Sequence, residues 1–448
     1  MRFRRILIAN RGEIAARIVR TATRLGIETV LAASEADLDS VPARMADRVV
    51  CIGPAPAARS YLNVAAVIAA AEAARADAIH PGYGFLSENA ALARACADAG
   101  IVFIGATEAQ LRAAGDKWRA REVAEDAGLP VVPGGFVDRG NAAALAAAIG
   151  CPVLVKAVGG GGGRGMKLIR DPKDAAATVD LAIAEADAAF GDARVYMERF
   201  VARGRHVEVQ LLGDGRRVIH LGTRDCSVQR RYQKLVEEAP APALPEAMRA
   251  RLHEAAVKYG LALAYRGLGT VEFLADVAAD AFYFLEMNAR IQVEHPVTEA
   301  VAGIDLVAEQ IAVAEGRPLR LAQTGVAFDG AAIEFRINAE DPAQDFRPSP
   351  GTVTRAVFPA GPGIRVDTHI ESGSAVPPFY DSLLAKIVVH ASTRAEALAR
   401  ARAALENCAI EGVATNLALH RALLDNPEFA AGGVDTAFLP RFLAKERP

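Results

Sequence analysis

From residue 159 to 165 the chain reads GGGGGRG, and the flanking segments PVLVKAV and MKLIRD both carry the β-rich pattern of strands. Glycines in such a run are expensive to order and pack nothing, so their use lies in backbone N–H groups that can approach a ligand with no Cβ in the way. Gly160 to Gly165 also satisfies GxGxxG. A dinucleotide site, however, needs the last glycine to open a helix whose N-terminus holds the pyrophosphate, whereas Met166 to Ile169 reads as strand. No GxxxxGK[ST] phosphate loop occurs anywhere in the sequence. The pattern that remains is a lid between two strands, with Lys156, Arg164 and Lys167 in or beside it, closing over phosphates.

Around this lid the sequence divides into three parts. Over the first hundred residues β-rich runs (RRILIA, ETVLAAS, DAIHPG, IVFIG) alternate with helical ones (GEIAARIVRTATRLG, ENAALARACADAG). Such alternation predicts parallel strands with crossover helices, a Rossmann-like N-terminal domain over residues 1–114. A helical linker containing GDKWRAREVAEDAG opens a central domain over residues 115–320, with the lid at about 131–200. Residues 331–441 form a last, β-rich module with two helices, Arg394 to Asn407 and Asn416 to Asp425. The predicted class is α/β combined with α+β.

Composition excludes several functions. At 448 residues, 52% hydrophobic and 23% charged, the chain can build two or three cores and is not disordered. A net charge of −3 gives no general attraction to nucleic acid. The apolar run after MRFRR is too short for a secretory signal, and Ala142 to Val155, interrupted by Gly150 and Pro152, falls short of the ~18 residues of a membrane span. Five scattered cysteines without a CxxC indicate neither a disulfide framework nor a zinc site. A soluble, cytoplasmic protein without nucleic-acid or membrane partners is expected.

The segments GTVEFLAD and AFYFLEMN predict a hairpin across the turn-prone residues 276–280. If the turn centres on residue 279, Glu272 faces Glu286, and two carboxylates at cross-strand spacing require a cation between them. Hard oxygen ligands beside a phosphate lid suit Mg²⁺, with Asn288 pointing the same way. In ARIQVEHP, read as an extended strand, Arg290, Gln292 and Glu294 share one face. Two donors and a carboxylate there could hold a small planar oxyanion and remove its proton, as bicarbonate activation requires. His295, before Pro296, reads as structural.

With IANRGEIA, HPGYGFLSEN, GDK, GGGGGRGM, RHVEVQ, QRRYQKLVEEAPAP, EMNARIQVEHPVTE and RINAEDP in this order, the chain resembles the biotin carboxylase subunit of biotin-dependent carboxylases, most of all that of acetyl-CoA carboxylase. The resemblance runs from IANRGEIA to GGVDTAFL and implies an ATP-grasp central domain and a C-terminal biotin carboxylase domain. It implies an ATP-dependent ligase in which bicarbonate attacks the γ-phosphate, carboxyphosphate forms, and its CO₂ passes to N1 of biotin with the help of two Mg²⁺ ions, Mn²⁺ being an alternative.

By position, the resemblance implies that Lys117 and Lys156 hold nucleotide phosphates beneath a lid that includes Gly161, Gly162, Gly163, Arg164 and Gly165. Glu198 and Val201 would meet the adenine, while His206, Gln229 and Tyr232 line the nucleotide pocket. Metal would sit on Glu272, Glu286 and Asn288. Bicarbonate would lie among Lys234, Arg290, Gln292, the Val293 backbone and Glu294, with Glu294 as general base, and Arg336 would stabilise the biotin enolate, phosphate taking the N1 proton.

Two positions depart from the family pattern: Tyr232 stands where histidine is common, a bulkier group that does not titrate near neutrality, and Ala289 stands where threonine is frequent. The family's biotinylated lysine lies in a Met-Lys context, and the one Met-Lys here, Met166-Lys167, lies at the lid. Biotin is therefore expected on a separate carrier protein or domain, with a carboxyltransferase partner and a homodimer through the last module. A ligase activating another carboxylate would share the lid and acidic pair but differ at ARIQVE and RINAED. A catalytically silent subunit would lack Lys117, Lys156, Glu272, Glu286 or Glu294, all of which are present.

Overall fold

The computed structural model describes residues 2–160 and 166–446. Gly161, Gly162, Gly163, Arg164 and Gly165 therefore lie outside the described residues. The N-terminal runs form β1 (Arg5–Ile8), β2 (Glu28–Ala33), β3 (Arg48–Cys51), β4 (Ala78–His80) and β5 (Val102–Phe103), a wholly parallel sheet in the order β3-β2-β1-β4-β5. Helix α1 (Gly12–Arg24) makes the first crossover. Ile6, Leu7 and Ile8 are all fully buried, as expected where both faces of a parallel sheet are covered. The edge strand β3, largely exposed, carries little of the hydrophobic signal that marks its neighbours.

Helix α2 (Lys117–Asp126) begins at Asp116, whose side chain accepts from Arg119 N at 2.9 Å. It leads into a four-stranded antiparallel lid of β6 (Gly134–Phe136), β7 (Val153–Ala157), β8 (Lys167–Ile169) and β9 (Val195–Arg199), ordered β6-β9-β7-β8. The pairing Val153↔Ile169 and Val155↔Lys167 shows that the glycine run does join two adjacent strands. A Cβ on Gly134 would meet Met197 O at 2.3 Å, so the close approach of β6 to β9 requires glycine there. The lid has its own core, in which Val155, Val179 and Met197 are buried together.

The main sheet has eight antiparallel strands: β10 (Arg205–Asp214), β11 (Val218–Arg230), β12 (Gln233–Ala239), β13 (Arg266–Asp276), β14 (Ala281–Asn288), β15 (Ala331–Asn338), β16 (Ile364–Thr368) and β17 (Leu383–Ala391). Their order is β14-β13-β10-β11-β12-β15-β17-β16. Strands read from sequence as belonging to two modules are thus one sheet, joined where Val236 pairs with Phe335. The last part also holds more helix than expected: besides Arg394–Glu406 and Leu417–Leu424, residues Pro427–Ala431 and Phe438–Glu446 are helical.

One local expectation is corrected. The ARIQVE segment is not an extended strand: β14 stops at Asn288, residues 293–294 turn, and Glu294 is the N-cap of helix α3 (His295–Ala302). Pro296 in the first turn favours helix, since its fixed φ and missing N–H suit that position, and Gly303 ends the helix at φ +66°. His295 is fully buried, its Nδ1 2.8 Å from Gln292 O, in keeping with a structural role.

Candidate active site

A cavity of about 630 Å³ opens where the lid, the main sheet and the N-terminal domain meet. Glu272 faces Glu286 in the β13–β14 register, followed by a bulge before Phe273↔Phe284. Asn288 Nδ2 donates to Glu272 Oε1 at 2.9 Å. The two carboxylates present hard oxygens to one side of the cavity; Lys117 pairs with Glu286, and His206 Nε2 lies 2.9 Å from Glu272 Oε2. Burial opposes the charge on Glu272, yet Lys234 and His206 hold its carboxyl well below the usual range. This donor set fits Mg²⁺, a divalent ion that takes one or two carboxylates and shares its remaining positions with phosphates and water.

Two other clusters bring potential ligands together, His206 with Glu208 and Glu272, and Glu208 with Cys226 and Glu294. Neither reads as a metal centre, because the Lys234 ammonium lies 2.7 Å from Glu208, 2.9 Å from Glu272 and 2.7 Å from Glu294 and already supplies the positive charge. Glu208 is fully buried and also binds Arg224, whose guanidinium donates further to Gln210, Thr298 and Thr270. Sequence reading assigned no role to Glu208 or Arg224. The signal for Glu208 was available in RHVEVQ, where period-two alternation puts it on the face of β10 shared with His206 and Gln210.

Although they leave the strand, Arg290, Gln292 and Glu294 still line the same cavity. Arg290 donates to Asn288 Oδ1 at 2.7 Å and Gln292 Oε1 at 2.8 Å, and its Nε meets Glu88 at 3.0 Å. Glu88, from the SEN motif, went unassigned because nothing local tied it to a residue two hundred positions away. Val293 O accepts from Lys386 Nζ at 2.8 Å, and Lys386 also pairs with Glu13 at 2.9 Å. Glu294 is fully buried between Lys234 and Arg336, the latter at 2.9 Å. Against burial, Lys234, Arg336 and Arg224 hold its carboxyl well below the ordinary value, so it is ionised in place.

On the lid side, Lys156 pairs with Glu198, and Val201, Gln229 and Tyr232 line the same cavity. Burial and the neighbouring Lys156 push the Lys117 ammonium down to about 8. Tyr232 sits half-exposed in the β11–β12 turn at φ +68°, beside Arg231 at +47°. With the exception of the five lid residues outside the described segments, every residue given a site role by the family resemblance lines this cavity. Lys167, expected beside the phosphates, does not: its ammonium pairs with Glu185 at 2.7 Å.

A cavity between a four-stranded flap and facing carboxylates on an antiparallel sheet defines an ATP-dependent ligase of the ATP-grasp kind. A biotin carboxylase of Nostoc sp. is 51% identical over 443 residues, 98% of this chain and 99% of that one. Residues 2–111 match the biotin carboxylase N-terminal domain, 116–322 the ATP binding domain of the carbamoyl-phosphate synthase L chain, and 334–441 the biotin carboxylase C-terminal domain. The chain belongs to the biotin carboxylase family. Among solved structures, the βγ-ATP complex of biotin carboxylase from Campylobacter jejuni superposes with a TM-score of 0.95 at 46% identity, covering 98% of this chain and 99% of that one. The biotin carboxylase domain dimer of 2-oxoglutarate carboxylase from Hydrogenobacter thermophilus, crystallised with MgADP, ADP and bicarbonate, gives 0.94 at 43% identity, covering 98% of each chain.

Proposed function

We propose that this cavity cleaves ATP against bicarbonate and passes the resulting CO₂ to biotin borne on a carrier protein or domain. One observation carries the reading: Gln292 Nε2 and Arg336 Nε are both buried without a hydrogen-bond partner among the described residues, and both residues line the cavity with the ionised Glu294. Unsatisfied donors in a buried wall are costly, and a planar oxyanion would satisfy them. Glu294 takes the bicarbonate proton, and a substrate oxygen drawing Lys234 toward itself relieves the charge that holds Glu294 so acidic. Lys117 and Lys156 hold ATP phosphates, Glu198 and Val201 face the adenine, and His206, Gln229 and Tyr232 complete the nucleotide wall. Two Mg²⁺ ions, held by Glu272, Glu286 and Asn288, would neutralise phosphate charge when bound. Arg336 stabilises the biotin enolate.

The domain divisions at residues 1–114, 115–320 and 331–441, with the lid at 131–200, belong to this reading. So do a carboxyltransferase partner, a homodimer, a cytoplasmic setting and acetyl-CoA as the final acceptor; the dimeric Hydrogenobacter domain supports pairing of chains. No helix among the described residues is long and apolar enough to cross a membrane. The test is ADP release by the purified chain with Mg²⁺ and bicarbonate. Free biotin is expected to stimulate it, and absence of a biotin response in a folded, ATP-binding sample would overturn the assignment.

A further inference from the structure

Arg336 does not rest on Glu294 alone. Its Nη2 lies 2.9 Å from Glu294 Oε2 and 2.5 Å from Glu237 Oε1, so one guanidinium is shared by two fully buried carboxylates. Glu237 is fully buried and lines no part of the cavity. It lies on β12, directly across from Glu334 on β15, two residues before Arg336 on the same face.

The geometry points to Glu237 as the positioning residue that keeps Arg336 in place while the charge on Glu294 changes. This rests on the reading above, in which the bicarbonate O–H proton moves to a Glu294 oxygen and no other proton changes place. Once neutral, Glu294 no longer holds the guanidinium by charge, just when Arg336 is needed for biotin. Glu237 then remains as its ionised partner, and the backbone of Arg336 is fixed independently by Asn416 and His420, which reach its carbonyl at 2.9 and 2.7 Å.

The surroundings make this grip sensitive to pH. Facing Glu237 are Lys234 on its own strand, Cys226 on β11, Arg336 and Glu334 on β15, Lys386 beyond them on β17, and Glu294 at the start of α3. Burial, and the nearby Glu294 charge against the opposing pull of Arg336, push the Glu237 carboxyl up to about 7. Burial pushes the Glu334 carboxyl well above the ordinary range. Below neutrality Glu237 takes up a proton and its hold on Arg336 weakens.

The experiment compares wild type, Glu237→Gln and Glu334→Gln in biotin-stimulated ADP release across pH 5.5 to 8.5 at fixed bicarbonate. Glu237→Gln is expected to lower kcat roughly tenfold or more at the alkaline plateau, in line with losses from supporting residues, and to lose the acidic limb near neutrality. Its KM for ATP stays within about twofold of wild type, and Glu334→Gln, as buried and directly across on the facing strand, keeps the wild-type profile. A folded Glu237→Gln with the wild-type kcat and profile would overturn the proposal, as would equal losses in both variants tracking equal falls in melting temperature. Should Glu237→Gln not fold, Glu237→Asp, charged but too short to reach Arg336, is expected to lower kcat, and an unchanged kcat would overturn the proposal. Failure of the wild type itself to respond to biotin strikes the functional reading instead.

Discussion

Arg290 Nη1 donates to Gln292 Oε1 at 2.8 Å, which fixes the orientation of the amide and leaves Gln292 Nε2 buried with no partner among the described residues. Replacing Gln292 with Leu removes that donor at little change in volume. A hydrogen bond to a charged group is worth about 1.5–3 kcal/mol, so the KM for bicarbonate is expected to rise about 10- to 100-fold while the KM for ATP stays near wild type. Steady-state kinetics with bicarbonate varied at saturating ATP measures this, and an unchanged bicarbonate KM would remove Gln292 from the anion site.

Glu294→Gln tests the base. The amide fills the same space but cannot take a proton, and general-base loss is worth about 10²- to 10⁴-fold in kcat. The variant also leaves Lys234 and Arg336 short of one negative charge, so its melting temperature is expected to fall as well. ATP affinity, read by isothermal titration, should survive. Retention of kcat within tenfold in a folded variant would assign the proton transfer to another group.

The chain's single tryptophan offers a direct view of the lid. Trp118, on α2 of the body, packs against Phe136 of the lid with ring centroids 4.0 Å apart and planes tilted by 35°, and meets Tyr196 of β9 edge-on at 5.9 Å. Lid movement over ATP must alter these contacts. Intrinsic fluorescence is expected to change saturably on adding MgATP, and Phe136→Ala to diminish the change; a signal that stays flat through ATP saturation would mean that the hinge side of the lid does not move.

Acid sensitivity follows from buried imidazoles. His253 stacks on His220 at 3.8 Å, and burial, with help from His220 and Arg249, pushes His253 down to about 3, while burial alone takes His220 to about 4. The unfolded chain binds a proton at each near 6.5, the folded chain only far lower, so acid favours unfolding across that window and the stabilising effect is complete only above pH 6.5. His253→Gln removes one such proton. Denaturant titrations at pH 7.5 and 5 should show wild type losing more stability than the variant on acidification; equal losses would refute the burial argument.

Much of the site could be read because its chemistry is written in short local patterns. The Glu272–Glu286 register followed from a turn-prone segment between two strands, and the lid from glycines bracketed by strands. The ARIQVE segment failed as a strand because a two-residue period was applied across a proline whose steric effect starts a helix instead, yet the three side chains still reach one cavity since a helix N-cap and a strand end can point into the same space. Glu88, Glu237 and Lys386 were not legible, as each acts on a partner that only non-local packing brings near. The same holds for the pairing of Val236 with Phe335, which no local pattern announces.

That last pairing has a mechanical consequence. Glu208, Glu272, Glu237 and Arg336 all project from hydrogen-bonded ribbons of one continuous platform, so the proposed nucleotide and acceptor stations cannot drift apart without tearing backbone ladders. The four-stranded flap is, among the described residues, a sheet of its own and shares no ladder with that platform. Under the proposed function, a short-lived mixed anhydride made on such an anvil would be consumed where it arises, with travel left to a tethered cosubstrate.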